Sequence, residues 1–117
     1  MRLSDCHNID DFRRLAKQRL PWPVFDYIDG AADDEVTKAR NTSAFDTVDL
    51  VPDVLAGVGQ IDASYQIMGR HSALPLVLSP TALQRAFHRD GERAVAQAAA
   101  RFGIWFGISS LATHSIE

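Results

Sequence analysis

Ile9 and Phe12 begin an i, i+3, i+4 spacing that Leu15, Ala16, Arg19 and Leu20 continue, the period of one face of an amphipathic helix. Asn8 or Ser4 supplies a cap at its start. Pro21 and Pro23 stop it, because proline lacks the N–H and disfavours helix in the residue before it. Val24 to Ile28 restarts a short helical turn that ends near Gly30. A third helical stretch is predicted over Asp33 to Phe45, with acids at its start and Lys38 and Arg40 later, the order the helix dipole favours. Val48 to Val51 and Tyr65 to Met68 have the character of short strands, separated by Pro52, Gly57 and Gly59, and a turn is expected at Gly69 to Ser72.

The pattern then changes. Leu76, Val77 and Leu78 form a continuous apolar run, as expected of a strand buried on both faces, and Ser79-Pro80-Thr81 breaks it. Gly91 to Phe102 is alanine-rich, with Ala94, Val95, Ala98, Ala99 and Phe102 at helical spacing and Gly103 as a natural terminator. Ile104 to Ile108 is a second apolar run, ended by Ser109-Ser110. Strand, helix, strand in that order predicts a βαβ unit with parallel strands and a right-handed crossover.

Composition narrows the function. The 117 residues suit one modest domain, and 12 basic against 15 acidic residues give a net charge of −3. That balance argues against nucleic acid as a partner, since phosphate binders carry a basic excess. The single cysteine, Cys6, excludes an intramolecular disulfide framework and any Cys-rich zinc site, and points to the cytoplasm. Met1 to Phe12 is too polar for the core of a secretory signal, and Phe102 to Ile108 is far short of the ~20 residues that span a bilayer. Docking on the inner face of a membrane stays open.

In parallel α/β architectures the chemistry lies beyond the carboxyl ends of the strands. Two such ends exist here, Ser79-Pro80-Thr81-Ala82 and Ser109-Ser110-Leu111, both offering hydroxyls and backbone groups. The plainer reading is that these hydroxyls cap strand ends and helix starts. Neither loop is a G-x-G-x-x-G turn or a P-loop, so dinucleotide and ATP readings lose their support. Tyr27, beside Asp26 and Asp29, is either a core aromatic or a phenol aimed into a site. His7, His71, His88 and His114 show no metal-ligand spacing, so no metal is expected. His88 and His114 are candidates for a site, though His88 equally suits a cap for the next helix; Asp33-Asp34-Glu35 reads as a solvated turn. No complete catalytic constellation assembles from these residues.

Six stretches nevertheless resemble one family, the FMN-dependent α-hydroxy-acid dehydrogenases and oxidases, which includes L-lactate dehydrogenase, glycolate oxidase, mandelate dehydrogenase and the flavin domain of flavocytochrome b2. They are Ala16 to Pro21, Phe25 to Glu35, Asn41 to Phe45, Leu78 to Leu83, His88 to Glu92 and Ile108 to Glu117, in family order and spacing. The resemblance implies the N-terminal part of a TIM (β/α)8 barrel in the α/β class. Residues 1–47 would be a helical lead-in, 48–74 a hairpin region, and 75–117 barrel strand one, helix one and strand two. It implies FMN as cofactor and conversion of a small 2-hydroxy acid to a 2-oxo acid. Tyr27 matches the tyrosine that hydrogen-bonds the substrate carboxylate. Pro80, Thr81 and Ala82 match the loop lying against the flavin, and Ser109 a serine contacting FMN. Leu111 stands where the family varies the residue facing the substrate side chain, and leucine there resembles lactate-using members.

Asp53 replaces a usual basic residue and Arg89 a frequent proline; neither position is catalytic in the family. The histidine base, carboxylate-binding arginine and flavin-stabilising lysine come from later strands in the family, so no residue of this chain is assigned a catalytic role. Two strands of eight cannot close a barrel. This polypeptide alone is therefore expected to be unstable and inactive. A rival expectation is a non-catalytic remnant or interaction module. The resemblance also implies a homo-oligomer at full length, and leaves open contact with a membrane or an electron acceptor.

Overall fold

The computed structural model describes residues 1–116 and divides into two compact units, Met1–Ala56 and the segment from Gly57 onward. In the first, α1 spans Ile9–Arg19, α2 Trp22–Asp29 and α3 Val36–Ser43. Asn8 caps α1, its side chain accepting from the Asp11 N–H at 2.8 Å, so it and not Ser4 fills that role. Helix α2 starts at Trp22, two residues earlier than expected, because Pro23 falls in its first turn where no N–H is needed. A β-carbon on Gly30 would lie 2.8 Å from the Asp26 carbonyl, which makes glycine the natural residue where α2 ends.

Leu15 of α1 and Phe25 of α2 are the buried apolar residues of this unit, each 4% exposed. The Arg13 guanidinium reaches across from α1 to the Asp29 carboxylate, with its Nη2 at 2.9 Å. Lys38 pairs with Glu35 at 3.1 Å and approaches Asp29 at 4.0 Å.

Two expectations in this unit fail. Helix α3 begins at Val36 rather than Asp33, because Asp33 and Glu35 adopt left-handed backbone (φ 48° and 56°) that a helix cannot continue; its last residues, Ala44–Thr47, tighten into a 3-10 turn. Val48 to Val51 is no strand. Among the described residues no other segment pairs with it, Leu50 is 94% exposed, and an unpaired stretch has no ladder to hold it extended.

The second unit opens on an antiparallel hairpin of β1, Tyr65–Ile67, and β2, Arg70–Ser72, in the register Tyr65↔Ser72, Gln66↔His71, Ile67↔Arg70. The expected turn at Gly69 to Ser72 is displaced: Met68 and Gly69 make the two-residue turn, both at positive φ as the hairpin's twist requires, and residues 70–72 become the return strand. Ser72 is fully buried and donates to the Leu74 carbonyl at 2.7 Å.

Beyond it, β3 (Val77–Leu78) pairs in parallel with β4 (Trp105–Phe106), and α4 (Gly91–Phe102) connects them. The βαβ reading therefore holds. Gly103 ends α4 in the left-handed region, φ 64°, and its carbonyl accepts from the Ala73 N–H at 2.8 Å, fixing the hairpin's exit to the helix end. Both strands are shorter than the apolar runs that announced them. Burial on two faces is not found either: Leu76 and Val77 are about half exposed, since β3 has one neighbouring strand here. Of the α4 residues expected to face inward, Ala99 is buried, Ala94 and Val95 are half-buried, and Ala98 and Phe102 are exposed. Among the described residues the strands form two two-stranded sheets and no barrel.

Candidate functional site

The two loops that follow β3 and β4 lie side by side and are bonded to each other. The Gly107 N–H donates to the Leu78 carbonyl at 2.9 Å, carrying the parallel pairing one step past the strands. A β-carbon at Gly107 would sit 3.0 Å from Pro80 Cδ, so glycine lets the first loop close over the second strand. Further out, the Leu83 N–H donates to the Leu111 carbonyl at 3.1 Å. Within the second loop the Ser109 hydroxyl accepts from the Leu111 N–H at 3.1 Å, and the Ser109 carbonyl from the Ala112 N–H at 3.0 Å. Ser109 thus shapes its own loop, an ST-turn role that its sequence context alone left undecided.

Beneath these loops stands a residue that the sequence did not single out. Glu92, in the first turn of α4, is 3% exposed. Its Oε1 accepts from the Thr113 N–H at 2.9 Å and the Gln84 N–H at 3.3 Å. Its Oε2 accepts from the Thr113 hydroxyl at 2.6 Å and lies 3.0 Å from His114 Nδ1. An ionised carboxylate only accepts, so the His114 proton sits on Nδ1. Burial pushes the Glu92 carboxyl pKa up, but the bonds from His114 and Thr113 outweigh it and hold the group well below the usual carboxylate range. One carboxylate therefore clamps the stretch after the first loop to the stretch after the second. His88 does not cap α4, whose N-cap residue is Asp90 with no side-chain cap bond; its Nδ1 instead accepts from the Asp90 N–H at 3.2 Å, just ahead of the helix. No local pattern announces the Glu92 clamp, whose partners stand eight and more than twenty residues away.

The residues singled out for a ligand fall in both units. Tyr27 is on α2 of the first unit and 58% exposed, while its neighbour Phe25 is the buried aromatic; the core-aromatic reading of Tyr27 is thereby set aside. Pro80, Thr81, Ala82, Ser109 and Leu111 come together in the second unit on the paired loops. Thr81 and Ala82 are half-buried, and the Thr81 carbonyl accepts from Gln84 Nε2 at 3.3 Å. The N–H groups of Thr81 and Ala82 and the Thr81 hydroxyl find no partner among the described residues. Such a row of backbone donors beside a hydroxyl suits the polar edge of a flavin ring, with its carbonyl and imine acceptors. Among the described residues there is no cluster of three metal-ligating side chains, and no helix is long and apolar enough to cross a membrane.

A parallel strand pair joined by a helix places the second unit in the α/β class, and comparison with known proteins narrows it. The model of the FMN-dependent dehydrogenase family matches residues 16–117, and the chain belongs to that family, whose cofactor is FMN. A putative L-lactate dehydrogenase of Mycobacterium tuberculosis is 41% identical over 99% of the chain and 28% of its own length. Glycolate oxidase 1 of Zea mays is 36% identical over 98% of the chain and 31% of its own. Among solved structures, a soluble mutant of the membrane-associated (S)-mandelate dehydrogenase from Pseudomonas putida superposes with a TM-score of 0.87 at 35% identity, over 94% of this chain and 32% of that one. The chain spans less than a third of the length of these relatives.

Proposed function

We propose that this chain supplies the N-terminal part of a TIM-barrel oxidoreductase that converts a small L-2-hydroxy acid, lactate-like, to the 2-oxo acid. Residues 1–47 form its helical lead-in, 48–74 its hairpin region, and 75–117 its first strand, first helix and second strand. The observation that carries this reading is the pair of bonded loops beyond β3 and β4, with unsatisfied donors at Thr81 and Ala82, in a chain of the FMN-dependent family. When bound, FMN accepts the two electrons released from the hydroxy acid.

The chain's own residues hold and orient. Thr81 and Ala82 donate backbone N–H groups to the flavin's polar edge, Pro80 sets the loop against the ring, and Ser109 contacts the cofactor from the second loop. The Tyr27 phenol donates to the substrate carboxylate. Leu111, an exposed aliphatic side chain, shapes the space for the substrate's own side chain and favours a methyl group. The proton-abstracting base comes from parts of the protein outside these residues. Contact with an electron acceptor and assembly into a homo-oligomer belong to the same reading.

Anaerobic mixing of the FMN-loaded protein with L-lactate, glycolate and (S)-mandelate tests it. L-Lactate should bleach the flavin fastest, and Tyr27→Phe should raise KM about tenfold, the worth of one hydrogen bond to a charged group. Faster bleaching by glycolate or mandelate would overturn the lactate-like assignment. No bleaching by any hydroxy acid, with FMN fully bound, would leave the non-catalytic module as the better description.

A further inference from the structure

A polar groove of ≈ 530 Å³ opens in the second unit where α4 begins, lined by Arg85, Arg89, Asp90, Arg93, Gln97 and His114. Three guanidiniums face one carboxylate there, an excess of positive charge in a chain whose net charge is −3. Here neither the Arg85 nor the Arg93 side chain has an acidic partner among the described residues, and Arg89 reaches only Asp90, at 3.6 Å. The nearby Glu92 cannot neutralise them, because its oxygens are already taken by Gln84, Thr113 and His114.

The groove is also built, not merely crowded. Gly91 has φ +45°, and a β-carbon on it would lie 2.7 Å from Arg85 Cγ, so the glycine makes room for the arginine stem to cross the start of the helix. Arg93 and Gln97 stand one turn apart on α4 and present a guanidinium and an amide on the same side. His114 lines the groove from the far loop; with its proton on Nδ1 and held on Glu92, its Nε2 is left as an acceptor. Guanidiniums are suited to bidentate bonding of phosphate oxygens, and the Gln97 amide supplies a neutral donor beside them.

We propose that this groove binds a phosphate-bearing anion other than the flavin, with Arg85, Arg89 and Arg93 as its ligands. The phosphate could be free or carried on a lipid headgroup, and two probes separate these sources. FMN-loaded protein is titrated calorimetrically with inorganic pyrophosphate, and separately co-sedimented with phosphatidylcholine vesicles containing or lacking phosphatidylglycerol. The Arg89→Gln/Arg93→Gln variant is run alongside, with flavin content and helical circular dichroism showing that it is folded. Pyrophosphate binding that weakens about tenfold or more in the variant identifies a free phosphate ligand. Phosphatidylglycerol-dependent sedimentation that the variant loses identifies the headgroup. Wild type binding neither probe, or a folded variant binding both as wild type does, overturns the proposal.

Discussion

Asp29 in the first unit and Glu92 in the second each tie together segments distant in sequence, but from different surroundings. The Asp29 side chain is 23% exposed and its partners, Arg13 and Lys38, are themselves charged and reached by water. The Glu92 side chain is 4% exposed, and backbone N–H groups, a hydroxyl and an imidazole fill its acceptor positions. Water and salt weaken the first arrangement, because solvent competes for both charges. The second is shielded, so its strength lies in geometry and complete satisfaction, and removing the acceptor strands several buried donors at once. Order at the two paired loops therefore depends on a buried carboxylate beneath them.

Replacing Glu92 by alanine gives the largest expected effect. It leaves the Gln84 and Thr113 N–H groups, the Thr113 hydroxyl and His114 without an acceptor, and frees both loops. Flavin retained through gel filtration should fall to a small fraction of the wild-type value; full retention would show that the clamp does not order the loops. Acid provides a second readout. The folded pKa of Glu92 is depressed, so its stabilisation is complete above the ordinary glutamate value of 4.5 and is lost as pH falls below it toward the folded value. Flavin release should steepen below pH 4.5 in the wild type. Glu92→Gln, which no longer titrates, should release flavin with a flatter acid dependence.

In the first unit the expected mainstay is apolar burial rather than ion pairing. Phe25→Ala removes an aromatic ring that is 4% exposed and should cost about 3–5 kcal/mol, measured by urea unfolding of the flavin-loaded protein. A loss below about 1 kcal/mol would mean the helices are held by something other than the burial of Phe25.

This contrast also explains what the sequence disclosed. Helix α1, the βαβ order and the Gly103 terminator were legible because each follows from residues three or four apart or from a glycine's backbone freedom. The loops carrying Thr81 and Ser109 were legible as strand ends. Val48 to Val51 misled because apolar character does not supply a pairing partner, and the Gly69–Ser72 turn was misplaced because Met68, a non-glycine, shares the positive φ. The Glu92 clamp and the Arg85 groove were invisible, since both are made by chain segments that meet only after folding. Tyr27 was ambiguous until exposure separated it from Phe25.

The smallest effect is expected at the exposed pair, where it sharpens the contrast most. Arg13 lowers the pKa of Asp29, first through its hydrogen bond, so the pair's contribution is present above the ordinary aspartate value of 3.8 and disappears as pH falls through the folded value. Arg13→Gln should therefore lower the melting temperature slightly at neutral pH and low salt. The difference should vanish in high salt, where the wild-type pair is screened, and again in acid, where Asp29 is protonated. Phe25→Ala should keep its full cost in both conditions, because apolar burial involves neither charge. If Arg13→Gln instead matched Phe25→Ala and resisted salt, Asp29 would be acting as Glu92 does, and the distinction between the two units would collapse.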